Sequence, residues 1–547
     1  MTKPENGLGR RRAAMLGLAG LVTTATLALG WHTLSAGGWT GWETAIFACL
    51  ALNAPWLGLA AATGIAGFAI RLLARDPAAL VLPTLRTGDM PVEARTLIAA
   101  CVRLEAMDQV LPPLERLIRD VHAQPDGAGR FALAILSDTP DGRAAEAEEA
   151  AIAELAARMP AGALLYRRRR DNAGYKAGNI MEFLDEHAAG FDFMLVLDAD
   201  SEMSAAAVLR MVRLMQAEPG LAILQPTVAG RRAGSPFARL FGFGHRHGSR
   251  VWATGQAWWQ GPDGPYWGHN ALIRIKAFRA HARLPLLPGG ETILSHDHVE
   301  AALLHGAGWA VRVLPEDAGS AERHPPDILL MLARDLRWAA GNMQYRHLLF
   351  RPDLGRIGRF QLFQAILHYA LTPFWFAMLP LAALNAATGG GEGTPRAALL
   401  ALLALCFLAL NGPKLAGYAE ALIRARRGRV AMLRRMGQEV ALGLLLDPLA
   451  ALDRTVTVLR LALGLKPGWA PQGREADGVP WAVAARRFWW HTAAGLLLLA
   501  LFAAAGPFAA MAALPAVAGL VLAIPLCTLS SRPRGAARPA MRFAPAE

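Results

Sequence analysis

Asp198 and Asp200, two carboxylates one residue apart, close the apolar run Phe193 to Leu197. A sugar diphosphate needs a divalent cation to neutralise its phosphates as the bond to the sugar breaks, and carboxylates so spaced at a strand end can reach both metal and sugar. Asp200 with Asp198 is therefore the expected metal site, and Mg²⁺ and Mn²⁺, both hard ions, suit it equally. Taken alone, the triplet reads as well as a solvated turn. Upstream context favours chemistry. Asp138, after the run Phe131 to Leu136, could hydrogen-bond a uracil or ribose. Lys176, in Lys176-Ala177-Gly178-Asn179, could reach a base or phosphate, with the glycine allowing close backbone approach. Standing alone, Lys176 would be an exposed helix lysine. The neighbouring run Arg167 to Arg170 fits phosphate contact and a solvated face equally.

An inverting transfer also needs a general base beside the acceptor hydroxyl while the nucleotide leaves from the other face. Asp297, in Leu294-Ser295-His296-Asp297-His298-Val299-Glu300, is the candidate. A His/Asp/His metal site is the second reading, which an extended strand would favour. The apolar pattern Val299 to Leu304 points instead to a helix start with Asp297 near its cap. Farther on, Arg334-Asp335-Leu336-Arg337-Trp338 resembles the Q/R-x-x-R-W signature of processive glycan synthases. Arg334 and Arg337 then fall on the donor side, where Arg337 can meet a diphosphate. Trp338 offers an aromatic face to an acceptor sugar. A helix with a core tryptophan is the plain alternative. The order of the motifs, immediately before an apolar hairpin, favours chemistry.

These residues need a scaffold that brings strand ends together. Phe131 to Leu136, Phe191 to Leu197 and Leu221 to Leu224 are short apolar runs ending in polar residues and alternating with helical stretches, the pattern of an α/β sheet. Ligands of such sheets bind beyond the carboxyl ends of the strands.

The remaining sequence is far more apolar. Of 547 residues, 54% are hydrophobic, and the excess sits in long runs at both ends, each near the roughly 20 residues that cross a bilayer. The expected plan is a two-span hairpin over 1–74, a cytoplasmic catalytic domain over 75–360 and a second hairpin over 361–422. A cytoplasmic or interfacial segment follows over 423–490. Within it, 438–465 carries Asp447, Asp453, Arg454 and Arg460, so an amphipathic interfacial helix or a broken hairpin is expected. A last hairpin over 491–530 and a disordered cytoplasmic tail over 531–547 complete six to eight spans. Arg10 to Arg12 before the first run would suit a signal peptide, but the run's length and the second span favour an anchor. Arginines cluster on one side of the spans and are missing around Gly389 to Thr394, which places the middle domain in the cytoplasm.

The net charge of +13 belongs largely to these flanks, where it sets topology and meets membrane lipid, and does not point to nucleic acid. Four scattered cysteines suggest neither a disulfide frame nor a zinc cluster. A transporter without chemistry would show paired repeats and intramembrane charges in place of a large soluble insert with ordered carboxylates.

Tyr266-Trp267-Gly268-His269-Asn270-Ala271, Ile293 to Leu303, Gly306-Ala307-Gly308-Trp309, Arg334 to Asn342, and Gly468-Trp469 with Gln472 together resemble the glucans biosynthesis glucosyltransferase family, the enzymes of osmoregulated periplasmic glucan synthesis. The resemblance runs from about Met90 to Trp490. It implies an α/β GT-A-type glycosyltransferase domain inserted between α-helical transmembrane segments of the inner membrane. UDP-glucose is the implied donor, a divalent metal the cofactor, and a growing β-linked glucan, mainly β-1,2, the acceptor. Asp138, Asp198, Asp200 and Asp297 become the donor-binding and catalytic acids, with His269 and Asn270 beside the acceptor. Acyl carrier protein and periplasmic glucan-processing proteins are the partners it implies.

Departures from the family pattern are Val92-Glu93-Ala94-Arg95 after Met90-Pro91, a short segment between Leu287 and Ile293, and no long N-terminal extension. A cellulose-like synthase of another β-glycan shares these motifs, although a C-terminal β-barrel sensor domain is not expected here.

Overall fold

The computed structural model describes residues 5, 7–86, 90–231, 233–465 and 478–533. Gly468, Trp469, Gln472 and the tail from 534 onward lie outside the described residues. Among the described residues the middle of the chain contributes ten strands: β1 Thr96–Val102, β2 Phe131–Ser137, β3 Leu164–Arg168, β4 Phe193–Asp198, β5 Glu202–Met203, β6 Leu221–Pro226, β7 Ala229–Gly230, β8 Ala271–Arg274, β9 Ala310–Leu314 and β10 Ser320–Glu322. Seven form one mixed sheet in the order β3-β2-β1-β4-β8-β6-β9, with only β8 antiparallel to its neighbours. β5, β10 and β7 make a small second sheet.

The central strands are near-continuous apolar runs because helices cover both faces of the sheet. In β1, Ile98, Ala100 and Val102 enter one core, while Leu97 and Ala99 enter the other. β4 divides the same way, with Leu195 and Leu197 opposite Met194 and Val196. Chain order reverses between β1 and β4, so their carboxyl ends flank a crevice at a topological switch point. Register sets Asp198 level with Cys101, and Ser137, one residue before Asp138, level with Val102. Tertiary pairing thus brings two carboxylates separated by 60 positions to one edge.

Apolar helices flank this domain in the sequence. Among the described residues, five are long and apolar enough to cross a membrane: Leu8–Leu34, Gly41–Leu73, Arg356–Ala387, Arg396–Arg424 and Trp481–Ala504. A sixth span results if Pro507–Val521 and Ala523–Ser531, bent by 59°, are taken together. Within 438–465 there is no hairpin. Arg429–Ala462 is one helix, because its charged groups find partners on neighbouring elements and Pro448 is accommodated without a break.

Small residues let the domain sit close to the spans. A Cβ on Gly67 would overlap the carbonyl of Val251, and one on Gly255 that of Thr63, so the helices Gly41–Leu73 and Pro236–Gln260 meet backbone to backbone. Beside this crossing, Arg71 and Glu420 form a buried bidentate pair at 2.6 and 2.9 Å.

Candidate active site

Lys176 lies in the first turn of the helix Tyr175–His187, which starts from two consecutive left-handed residues, Gly174 at φ 69° and Tyr175 at φ 53°. That turn aims the Lys176 ammonium at Asp198 and at the carbonyl of Gly268, 2.7 Å away. Burial works against the charged ammonium, but Asp198, Cys101 and Glu300 together outweigh it and the Lys176 pKa is raised. Gly178 serves this turn rather than a ligand, since a Cβ there would overlap the carbonyl of Ala173.

Arg167, Arg168 and Arg169 of the arginine run are ion-paired within the protein, and Arg170 is exposed. Arg167 pairs with Glu182 and Arg168 with Asp141 and Glu149. Arg169, 6% exposed, clasps Asp138 through two nitrogens and donates to the carbonyls of Ala173 and Tyr175 at 2.8 and 2.6 Å. Asp138 is therefore held in a fixed orientation, and the same guanidinium ties it to the loop that carries Lys176.

Asp297 begins the helix Asp297–Gly306, with His296 at the N-cap. Its neighbour across the cleft is Gly268, at φ +82°, where an added Cβ would lie 3.4 Å from the Asp297 Cβ. One peptide thus separates the two chemistries: the Gly268 carbonyl accepts from Lys176, and its α-carbon faces Asp297. The histidines beside Asp297 do not join it as ligands. His296 turns to the buried Glu300 at 2.8 Å, and His298 Nδ1 stands 3.9 Å from Asp297. Among the described residues no group of three or more His, Cys, Asp or Glu side chains could hold a metal ion, which overturns the His/Asp/His reading. Asp198 and Asp200 remain as hard oxygen donors, a set that suits a cation sharing substrate phosphate oxygens.

The small sheet adds groups that the motifs did not reveal. Glu322 on β10 stands 3.3 Å from His269. Its pKa is raised, first by burial and further by Asp200 and Asp198, while His269 and Arg334 oppose the rise. Arg334 is held below its ordinary value by burial, against the attraction of Glu322 and Asp200. Arg334 and Glu322 thus share the electrostatic field of Asp200. Asn270 is a strut and not a sugar contact: it is fully buried at φ 49°, and its amide donates to Ser320 Oγ at 2.9 Å. Gln225 fixes the same loop, accepting from Trp267 N and donating to the His269 carbonyl, both at 2.7 Å.

The helix Ile328–Gln344 carries the arginine motif. The Arg334 guanidinium lies 4.8 Å from the Trp338 ring centroid, and Trp338 is 49% exposed. Burial lowers the Arg337 pKa, and Arg334 lowers it further. This helix also holds the Asp297 loop. Gln344 accepts from Leu294 N at 2.9 Å, Tyr345 donates to the Ser295 carbonyl at 3.0 Å, and a Cβ on Gly341 would overlap Ser295. Arg454, on the helix Arg429–Ala462, holds the motif in turn through two bonds to Asp335 at 2.6 and 3.0 Å, joined by the Tyr369 hydroxyl at 3.3 Å. Nothing in the spacing of the motifs signals Glu322, Gln225 or Arg454.

Next to Asp297 a cavity of about 210 Å³ opens between the domain and the membrane helices. Trp56, Trp252 and Trp267 line it together with His298, Asn342 and Gln364. Aromatic faces interleaved with amides suit the two sides of a sugar ring, apolar C–H and polar hydroxyl.

Residues 193–412 match the family described as Glycosyl transferase family group 2. Three relatives, each named glucans biosynthesis glucosyltransferase H, are similar along nearly the whole chain. That of Caulobacter vibrioides (strain NA1000 / CB15N) is 33% identical, covering 94% of this chain and 82% of its own. The Vibrio cholerae relative (strain ATCC 39541 / Classical Ogawa 395 / O395) is 33% identical over 89% of this chain and 70% of its own. The Xanthomonas campestris pv. campestris relative (strain B100) is 31% identical over 96% and 85%. Among solved structures, the mannosyltransferase PcManGT from Pyrobaculum calidifontis in complex with GDP-Man and Mn²⁺ aligns over 66% of this chain and 99% of its own, at 17% identity and a TM-score of 0.37.

Proposed function

We propose that this chain, which belongs to the glucans biosynthesis glucosyltransferase family, transfers glucose from UDP-glucose by inversion onto a growing β-linked glucan, mainly β-1,2. The observation that carries this reading is the Gly268 peptide, with the Lys176–Asp198 pair on one side and Asp297 on the other. Donor acids and acceptor base then face one another across the thickness of a single backbone.

Asp138, oriented by Arg169, receives the nucleoside, and Asp198 and Asp200 would hold a divalent metal, which would supply charge neutralisation at the diphosphate. Asp297 takes the proton of the acceptor hydroxyl as that oxygen attacks the anomeric carbon. The C1–O bond to UDP breaks on the opposite face, and Arg334 and Arg337 stabilise the leaving diphosphate. Trp338 and the Trp-lined cavity take the product chain toward the spans. The arginine-rich helix ends support a cytoplasmic catalytic domain in the inner membrane.

The test is incubation of the purified chain in lipid with labelled UDP-glucose, followed by linkage analysis. A β-1,2-glucan is expected. A polymer of another linkage would replace the product assignment, and no polymer would remove the reading.

A further inference from the structure

Between Glu420 and Glu439 the chain has no acidic residue and six arginines, Arg424, Arg426, Arg427, Arg429, Arg434 and Arg435. All six are exposed. Arg424 and Arg429 bond to nearby backbone carbonyls. Arg426, Arg427, Arg434 and Arg435 have no hydrogen bond or ion pair among the described residues. Large apolar side chains stand exposed among them: Ile423, Leu433, and Val430 at 82%. A solvated loop has no use for these apolar groups, and an acidic soluble partner would not need them beside the end of a span. Here the span Arg396–Arg424 ends and the helix Arg429–Ala462 begins. Guanidinium groups interleaved with apolar side chains at that depth match the anionic headgroups and upper acyl carbons of a leaflet.

The helix that starts in this elbow carries Arg454, roughly 38 Å further along at 1.5 Å per residue. Arg454 clasps Asp335 in the arginine-motif helix, which in turn holds the Asp297 loop. We propose that the elbow at 423–435 docks on anionic phospholipid headgroups and that this docking steadies the Arg454–Asp335 clasp, so that glycosyl transfer depends on anionic lipid. The kinetic half of this proposal rests on the glucosyltransferase reading; the lipid-binding half does not.

The full chain is reconstituted in nanodiscs of phosphatidylcholine, with and without phosphatidylglycerol. Phosphatidylglycerol retained on the protein is measured by native mass spectrometry, and UDP-glucose turnover in parallel. Wild type is expected to retain phosphatidylglycerol and to gain severalfold in kcat with KM for UDP-glucose unchanged, a gain that fades in high salt. Each arginine near an anionic surface is worth about fivefold in lipid affinity. The combined Arg426→Gln, Arg427→Gln, Arg434→Gln, Arg435→Gln variant should therefore lose retention and the kcat response, with phosphatidylcholine-only activity and Tm kept. The matching four-lysine variant should recover both. Equal retention by wild type and the glutamine variant would overturn the proposal, as would a kcat indifferent to lipid charge or a response to an acidic soluble protein in place of lipid. If no membrane supports turnover, the glucosyltransferase reading fails while lipid retention still judges the elbow.

Discussion

The two sides of the cleft are held by different means. On the donor side, Asp138 is clasped by Arg169, 31 positions away, and Asp198 by Lys176, 22 positions away. On the acceptor side, Asp335 is clasped by Arg454, 119 positions away on a helix beyond the catalytic domain. The carboxylate–cation pairs of the proposed donor side form within the α/β domain. The helix Ile328–Gln344, which carries Arg334, Arg337 and Trp338 and holds the Asp297 loop, is fixed only when the later helices have packed.

The largest expected effect lies where the two sides meet. Asp297→Asn removes the general base and should lower transfer by about 10²–10⁴-fold while UDP affinity, read by calorimetry, stays nearly unchanged. Retained turnover would remove Asp297 from the acceptor side. Next, Arg454→Met leaves Asp335 buried without its cation. It should lower kcat roughly tenfold to a hundredfold through misplacement of the Asp297 loop, with KM for UDP-glucose little changed. An equal rise in KM would show that the sides are not separable.

The converse change, Arg169→Met, uncovers a buried carboxylate on the donor side. Loss of one partner of such a pair costs about 3–5 kcal/mol, so Tm should fall and KM for UDP-glucose rise. Turnover at saturating donor should change least.

A smaller effect concerns pH. Burial holds His245 and His324 neutral, lowering their pKa values to about 4 and about 3 from an ordinary 6.5, and Arg334 adds to both shifts. Because the folded values lie below the unfolded one, their contribution is complete above pH 6.5 and is lost as pH falls toward 4. Tm should therefore drop across that window, and His324→Leu should flatten the drop. An unchanged slope would show that acid acts elsewhere.

Much of the donor side was legible because its signals are local. β2, β4 and β6 each end in the polar residues that mark a strand edge, and Asp138 and Asp198 lie at such ends, whereas Lys176, expected to reach a base or phosphate, bonds Asp198. The arginine run was ambiguous because a sequence cannot say which carboxylates will lie across from it. Asn270 was misplaced for a related reason. Its motif is polar and glycine-rich, which suits a sugar contact, but a left-handed buried asparagine closing on Ser320 is equally compatible with that pattern. For 438–465, charges in an apolar stretch left an interfacial helix and a broken hairpin both open, and the partners that let one helix continue lie on other elements.

The sequence by itself determined the apolar helices, the α/β insert and the order of the chemical motifs, because each depends on residues close in the chain: hydrophobic runs, strand-end carboxylates, a helix start at Asp297. Only the tertiary structure decided which carboxylate faces which cation, that Gly268 lies between Lys176 and Asp297, and that Glu322, Gln225 and Arg454 brace the elements around them. Those pairings depend on strand order and helix packing, and one register step or one helical turn would have matched the same charges differently.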